Sequence, residues 1–400
     1  MKRILSFLLV TSIFLMCASA DTIELEKRFI KGSIAEKIEV VHESTGDDAL
    51  FLAIKGLDYA IENAPTLGSD QELCSLAVAS ILAIPKIDTK LEAKPFNQSE
   101  LSTIREKLLT VFSLFTDETV RISVLDRLPG YASKDDDKTV TLLNDFLSRA
   151  FNANEAYTAV IGTAIDTLPL VGNTASLKII YNIWYAKKWE ECSESTERAL
   201  AVLSEAATQT TMELFSALSL EDSIAYFSVL KNSSEISSIF LCEVAENVLF
   251  LTINKAENLQ DSDAAYKSAF VSLQLATLSV ISEHKWSHAS QVVNVAVTLS
   301  KREYDALILS EEQFITVITE SVLLPTSELA QILSEFLADC NSLVEKGDQP
   351  AKQVVLALIS ALETLGDKSA FDNLLYVTYL TAYPDEVIQA ARLALASLKW

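Results

Sequence analysis

No glycine or proline occurs between Asn173 and Leu324, a stretch of 152 residues. Tight β-hairpins and type II turns depend on one or the other of these residues. The connections in this stretch must therefore be short and built from serine, asparagine and aspartate, which occur together as Asn232-Ser233-Ser234, Asp261-Ser262-Asp263 and Ser310-Glu311-Glu312. Each cluster precedes an apolar run of helical period, as a helix N-cap does. The pattern predicts helix after helix.

The rest of the chain fits the same interpretation. Only 9 glycines and 8 prolines occur in 400 residues, whereas half of the residues are hydrophobic. Collagen-like, Pro/Gly-rich disordered and turn-rich all-β proteins need more glycine and proline than this. The apolar fraction is large enough for an extensive buried core.

The C-terminal segment predicts a pair of packed helices. Pro384-Asp385-Glu386 opens the last helix, with acids where the helix dipole favours them. Apolar residues then recur at helical spacing, at Val387, Ile388, Ala391, Leu395 and Leu398. A second helix is predicted over residues 369–379, and the connection between the two is short enough to make them antiparallel. Asp47-Asp48 and Asp117 open further helices of this kind.

Two distant segments match each other. Ala175-xxx-Ile179-Ile180-Tyr181 has the same spacing as Ala370-xxx-Leu374-Leu375-Tyr376, and Trp184 and Tyr379 follow at equivalent positions. Repeats of about 40 residues, each a helix pair that cannot bury its apolar face alone, are typical of an α-solenoid. We therefore predict an all-α solenoid of about eight or nine antiparallel helix pairs over residues 21–400. A non-repetitive helical bundle is the alternative.

Two runs resemble the second helix of a HEAT repeat. They are Asp117-xx-Val120-Arg121-xx-Val124-Leu125-xx-Leu128 and Pro384-Asp385-Glu386-Val387-xx-Ala390-Ala391-xx-Ala394-Leu395. On these motifs the chain resembles exported bacterial HEAT-repeat (armadillo-like) proteins of the kind found in spirochaete envelopes. The resemblance implies a scaffold with a protein-binding surface, and it carries no catalytic residue across.

The N-terminus is typical of a secretory signal peptide. Lys2 and Arg3 precede an apolar stretch, and Ala18-Ser19-Ala20 forms a small-residue cleavage site. Residues 1–20 are therefore predicted to be removed after Ala20, which places the protein in the periplasm or outside the cell. Lipidation at Cys17 is an alternative, whereas the apolar stretch is short for a membrane anchor. We predict no transmembrane segment in the mature chain.

Charge restricts the partners. The formal net charge is -23, and loss of Lys2 and Arg3 with the signal peptide makes it -25. So acidic a chain repels nucleic acid and anionic lipid, and it permits basic proteins or cations. Solubility alone also explains the charge. Four cysteines remain after cleavage, Cys74, Cys192, Cys242 and Cys340, too widely spaced for a zinc ribbon or a redox motif; one disulfide is permitted.

Chemical motifs are weak throughout. His284 and His288 could share a helix face with Glu283 as zinc ligands, but residues 282–287 fit a polar turn better. Asp135-Asp136-Asp137 lacks the alternation and the glycine of a calcium loop. Ser228-Val229-Leu230-Lys231 fits the SxxK pattern without its companion motifs. The sequence contains no GxSxG, P-loop or GxGxxG motif. We therefore expect no enzyme activity, no catalytic residue, no cofactor and no metal.

The strongest candidate site is aromatic. Tyr181, Trp184, Tyr185 and Lys188 would share one face of a helix, and Tyr376 and Tyr379 recur at the matching positions. Aromatic side chains beside lysine are common in protein-binding hot spots. The alternative is that they pack against the next repeat.

Two functions remain as hypotheses. The first is a non-enzymatic scaffold or adaptor that binds a protein or peptide along a helical-repeat surface. The second is a binder of an apolar or small-molecule ligand in a groove between helix pairs. An unrecognised hydrolase is a third, and it would need titratable residues to converge in one cleft.

Overall fold

The computed structural model describes residues 23–89, 95–132 and 137–398, and these form helices and turns without a β-strand. The predicted all-α class is confirmed. The predicted signal peptide, residues 1–20, lies outside the described residues. The chain divides into two compact units, unit 1 up to Ala207 and unit 2 from Thr208.

Unit 1 contains ten helices in its described residues and a short 3₁₀ turn at Glu190–Cys192. They are α1 (23–31), α2 (Ile34–Glu43), α3 (Asp47–Leu67), α4 (Gln71–Ala83), α5 (Gln98–Leu114), α6 (Glu118–Tyr131), α7 (Asp137–Asn152), α8 (Ala159–Val171), α9 (Thr174–Tyr185) and α10 (Ser193–Ala206).

Unit 2 contains another ten helices in its described part, with 3₁₀ turns at Lys255–Asn258, Ser287–Ala289 and Lys368–Ala370. They are α11 (Thr208–Ala217), α12 (Leu220–Asn232), α13 (Ser238–Asn254), α14 (Ala264–Glu283), α15 (Ser290–Asp305), α16 (Glu311–Ser321), α17 (Ser327–Glu345), α18 (Lys352–Leu365), α19 (Phe371–Tyr379) and α20 (Asp385–Ser397).

Each unit is built as a two-layer stack. Along unit 2, each of the hairpins α13/α14, α15/α16, α17/α18 and α19/α20 packs its two helices together. Each helix also packs on the next but one, so odd helices α11 to α19 form one layer and even helices α12 to α20 the other. In unit 1 the even helices α2 to α10 stack in the same way, as do α3 on α5 and α7 on α9. This contact pattern is that of an α-solenoid, as predicted.

Side-chain caps fix three of the predicted helix starts. Asp117, Asp263 and Ser310 each accept a hydrogen bond from the backbone three residues ahead, at 3.0, 2.8 and 3.2 Å. Helix α13 starts later than Asn232-Ser233-Ser234 predicts, at an N-cap formed by Ser237. The reason is local: the Ser233 hydroxyl accepts the Glu235 N–H in a turn of its own.

Pro129-Gly130 would favour a helix end at these residues, but α6 continues through both to Tyr131 and has its C-cap at Ala132. Packing holds the last turn in place. The buried Tyr131 donates its hydroxyl to the Pro85 carbonyl at 2.7 Å. Gly130 lies so close to the Ile87 carbonyl that a Cβ would approach it to 2.6 Å. A proline in a last turn costs one backbone hydrogen bond, and this tertiary contact outweighs it.

Helix α14 is long and apolar enough to match a membrane span, with a mean hydropathy of 1.2. Half of that window is buried inside the protein. It packs against α12, α13 and α16, so the same composition also serves a core helix of unit 2.

Candidate functional site

The first predicted cluster lies at the end of α9. Asn173 caps this helix, and its Oδ1 accepts hydrogen bonds from the backbones of Ala175 and Ser176 at 2.9 and 3.3 Å. Ile180 and Ile183 are fully buried on the inner side. The cap and this inner face fix the rotation of α9, and with it the direction of the aromatic side chains at its end.

Three of the predicted residues lie together as an aromatic cluster. Tyr181 is buried, and its ring stacks on Tyr185 with the centroids 5.8 Å apart. Trp184 is half-buried and tilts against Tyr181 at 5.7 Å. Tyr185 is 56% exposed. Tyr181 and Trp184 therefore support the cluster, and Tyr185 presents a ring to solvent.

The prediction that Lys188 shares this helix face is wrong. Helix α9 ends at Tyr185, because Lys187 adopts a left-handed backbone conformation with φ 49°. The Lys188 N–H then turns back to the Ile183 carbonyl at 3.0 Å, which closes the helix end as a Schellman motif does. The Lys188 ammonium bonds to the side chain of Asn154 instead.

Trp189 is a residue that sequence reasoning did not single out. It is buried, and its indole N–H donates to the Glu155 carbonyl at 2.9 Å. The ammonium of Lys188 lies 5.7 Å from the centre of its ring. Trp189 thus attaches the end of α9 to the α7–α8 loop, so it is a structural anchor next to the aromatic cluster.

The second predicted cluster lies on α19. Tyr376 is exposed and donates its hydroxyl to the Glu345 carboxylate at the end of α17. Tyr379 is 69% exposed. Tyr383, just beyond the helix, is buried and donates to Asn341 Oδ1 at 3.1 Å. Burial raises the pKa of the Tyr383 phenol well above its usual range.

A polar ladder holds α19 against α17. Asn373 donates its side-chain N–H to both the carbonyl and the hydroxyl of Ser334 at 2.9 Å. Asn341 donates to the Asn373 carbonyl at 3.1 Å. Hydrogen bonds are directional, so these three fix the position of α19 along α17 and, with it, the direction in which Tyr379 points.

Helices α9 and α19 match in structure when the alignment predicted from the sequence is shifted by one residue. That match pairs Trp184 with Tyr379, but the first is half-buried and the second exposed. A shift of one residue pairs Tyr185 with Tyr379, and it pairs buried Ile183 with buried Val377.

The helix starts agree with the shifted register. Asn173 Oδ1 accepts the N–H of Ala175, and Asp367 Oδ1 accepts the N–H of Ser369, both at 2.9 Å. Each of these capping residues directly follows a glycine. Tyr185 in unit 1 and Tyr379 in unit 2 are therefore equivalent exposed positions.

The histidine pair does not share a helix face. Helix α14 ends at Glu283, and Lys285 has a φ of 51°. His284 and His288 are therefore separated by a turn, as residues 282–287 predicted. His288 lies against the ring of Trp286, with centroids 4.8 Å apart. Within the described residues, no group of three metal-ligating side chains comes together.

The other chemical candidates are also accounted for. Ser228 is exposed on α12, and its hydroxyl accepts a hydrogen bond from Asn232 at 3.3 Å. Asp135 and Asp136 lie outside the described residues. All four cysteines after residue 20 are buried free thiols. Burial raises the pKa of the Cys340 thiol to about 11, which keeps it protonated and unreactive.

The described residues form open grooves between stacked helices, and two of these grooves have a substantial apolar lining. One of about 540 Å³ lies in unit 1 along α2, α4 and α6, where Ile38, Val78 and Leu82 line it together with polar groups such as His42. The other, of about 380 Å³, lies in unit 2 along α13, α15 and α17, where Ile253, Val295, Leu299 and Ile332 provide the apolar lining.

The outer surface of the odd layer in unit 2 combines acidic and large apolar side chains. We name it the acidic–apolar face. Its exposed apolar members are Ile239, Phe250, Val295, Leu343, Tyr376 and Tyr379. Its exposed acidic members are Glu243, Glu328, Glu335, Asp339 and Asp372. Of these residues, only Tyr376 and Tyr379 could be singled out from the sequence.

Neither the protein-family models nor the curated proteins contain a match to this chain. The function is therefore inferred from the fold and from the surface residues.

Proposed function

We propose that this protein is a non-enzymatic, extracytoplasmic scaffold that binds a protein or peptide partner through exposed aromatic side chains on its helical stack. The observation that carries the proposal is the pair of equivalent exposed tyrosines, Tyr185 and Tyr379, on α9 and α19. Each projects from a helix whose inner face is buried, so a partner would meet a ring that is already held in position. Tyrosine supplies a large contact area at a low cost in conformational entropy.

The proposed location and family depend on sequence features. The signal-peptide pattern of residues 1–20 supports export to a periplasm or beyond. The HEAT-like runs support membership of the exported HEAT-repeat proteins of spirochaete envelopes. A net charge of -23 favours a basic partner over nucleic acid.

The test is co-purification of the tagged protein from crosslinked envelope fractions. The variant changes Tyr185→Ala and Tyr379→Ala together. The matched control changes Leu170→Ala and Leu393→Ala, since these residues are 56% and 66% exposed, almost the same fractions as the two tyrosines. Loss of a tyrosine hot spot is expected to weaken binding at least about 30-fold, corresponding to about 2 kcal/mol.

A stoichiometric partner that is lost in the tyrosine variant and kept in the leucine control supports the scaffold. The protein recovered alone from both, or a partner kept by both, argues against it. Circular dichroism of each variant checks that the helices remain intact.

A second candidate function is binding of a small apolar ligand, and the groove of about 540 Å³ in unit 1 favours it. This volume falls in the range of ligand pockets. Native mass spectrometry of protein purified from its own envelope would show a ligand of fixed mass. Absence of any added mass after gentle extraction would count against this alternative.

A further inference from the structure

The groove between α13, α15 and α17 lies within the acidic–apolar face, which contributes Val295 and Glu328 to its lining. Its apolar lining comes from three successive helices of one layer, with Val295 more than half exposed at the centre. Six of the nine exposed large apolar side chains in the described part of unit 2 belong to this face. Such a concentration on one face is typical of an interaction surface.

Acidic groups stand at the edge of this groove. Glu328 lines it, and Oε2 of its carboxylate accepts hydrogen bonds from Gln291 at 3.1 Å and Asn294 at 3.0 Å. Glu257 lines it from the end of α13. The Glu328 carboxylate is thus held in place with its charge available to a ligand.

Basic groups on the same helices balance only part of this charge. Lys301 pairs with Asp305 in its own helix, at 2.7 Å from Oδ1, and with Asp339 on α17 at 3.8 Å from Oδ2. Arg302 lines the groove and is exposed. The other four exposed acids of the acidic–apolar face outnumber Arg302, so a partner with positive charge is complementary.

We propose that this groove binds a basic amphipathic helix of a partner protein. The apolar side of that helix would lie over Val295 and Leu299, and its lysine or arginine residues would face Glu257 and Glu328. A helix laid in an apolar groove is a common recognition mode, read through side chains spaced at i, i+3, i+4 and i+7. The inference rests on the proposed scaffold function and names the class of partner and its place.

Charge argues against a second copy of this chain as the partner that binds in this groove. A symmetric pairing through this face would oppose Glu328, Glu335 and Asp339 to the same residues of the other copy. Like charges brought together in an interface are unfavourable. Oligomerisation through the face is therefore an outcome that would overturn the proposal.

The test uses the purified full chain and three fluorescein-labelled peptides of about 18 residues, long enough for five helical turns. The first places leucine on one helix face and lysine on the other. The second replaces each lysine with glutamate, and the third scrambles the lysine peptide. Fluorescence anisotropy is expected to show binding of the lysine helix that is at least tenfold tighter than that of either other peptide, and weaker in high salt.

A matched pair of variants locates the binding. Val295→Lys puts a cation into the groove, and Leu393→Lys puts the same charge on an exposed apolar position of α20. Val295→Lys is expected to weaken binding of the lysine helix at least tenfold, with no change for Leu393→Lys. Equal losses in both variants, or equal binding of the scrambled peptide, would show charge attraction alone and overturn the proposal. Sedimentation that shows dimers sensitive to Val295→Lys would overturn it as well.

The two proposals fail separately. A cellular partner that depends on Tyr185 and Tyr379, together with a lysine helix that ignores Val295→Lys, keeps the scaffold and removes this groove. Specific binding of the lysine helix without any such cellular partner keeps the groove and removes the tyrosine-dependent scaffold.

Discussion

Changing Glu303 to glutamine is expected to stabilise the protein in mildly alkaline solution and to have a smaller effect in mild acid. Glu303 lies on α15 and is 2% exposed, and neither carboxyl oxygen has a hydrogen-bond partner among the described residues. Burial raises the pKa of Glu303 to about 7, and the side chain of Gln274 on α14 lowers it by a smaller amount.

The sign follows from the direction of this shift. The folded state holds the Glu303 proton more tightly than the unfolded state, whose carboxyl has a pKa near 4.5. Stability is therefore lost as the pH rises from about 4.5 through about 7, where the buried carboxyl must ionise. The protonated acid suits the site, because a neutral carboxyl is less costly to bury than a carboxylate.

The loss of unfolding free energy caused by Glu303 follows from the difference between its folded and unfolded pKa values, at about 1.4 kcal/mol for each pH unit. This loss is about 3 kcal/mol at about pH 8 and about 1.4 kcal/mol at about pH 5.5. A glutamine in place of Glu303 keeps the shape and cannot ionise. The stability gain of Glu303→Gln should therefore shrink by about 2 kcal/mol between these two pH values.

Urea unfolding followed by circular dichroism at both pH values measures this difference. Both pH values lie above the isoelectric point, which is near pH 4.5. Glu243→Gln is the control, since Glu243 is exposed on α13. A gain for Glu303→Gln that is the same at both pH values would refute the reasoning, because a buried ionising carboxyl requires the gain to change. A loss of stability at about pH 8 would refute it more directly.

Two other predictions concern the backbone and the thiols. Leu307 is 89% exposed with a φ of 57°, a left-handed conformation that costs a non-glycine residue about 1–2 kcal/mol. Leu307→Gly should raise the free energy of unfolding by about 0.5–1 kcal/mol after the entropy cost of glycine, whereas Leu323→Gly, where φ is not positive, should lower it; a loss at Leu307 would contradict this. The buried thiols from Cys74 to Cys340 should react with Ellman's reagent at least about tenfold more slowly in the folded protein than in guanidinium. Rapid, stoichiometric labelling of the folded protein would contradict their burial.

Local signals made much of the fold predictable. The caps at Asp117, Asp263 and Ser310 depend on bonds within three residues, so the sequence contains all of the relevant atoms. The end of α9 is different. Lys187 adopts the left-handed conformation at the helix end, where glycine or asparagine is the usual residue. The sequence therefore wrongly predicts that the helix continues to Lys188.

Burial could not be inferred from the residue type alone. Glu303 occurs in the charged run Lys301-Arg302-Glu303-Tyr304-Asp305, which has the composition of an exposed helix end, yet it is buried. In α13 the reverse occurs, since Phe250 is half exposed beside fully buried Leu249. In a stack, each helix touches neighbours on several sides, so the exposed strip is narrow and its angle depends on contacts distant in sequence.

Polar bridges between next-but-one helices explain how that angle is fixed. Apolar packing is non-directional and tolerates sliding, whereas a hydrogen bond prefers a narrow range of distance and angle. Such bridges join stacked odd helices in both units: Ser176 to Asn144, Asn294 to Glu328 and Asn373 to Ser334, at 2.9–3.0 Å. They fix the positions of α9, α15 and α19, the helices that carry Tyr185, Val295 and Tyr379. Binding to these side chains therefore orders few additional groups and costs little conformational entropy. A larger part of the contact energy is then available as binding affinity.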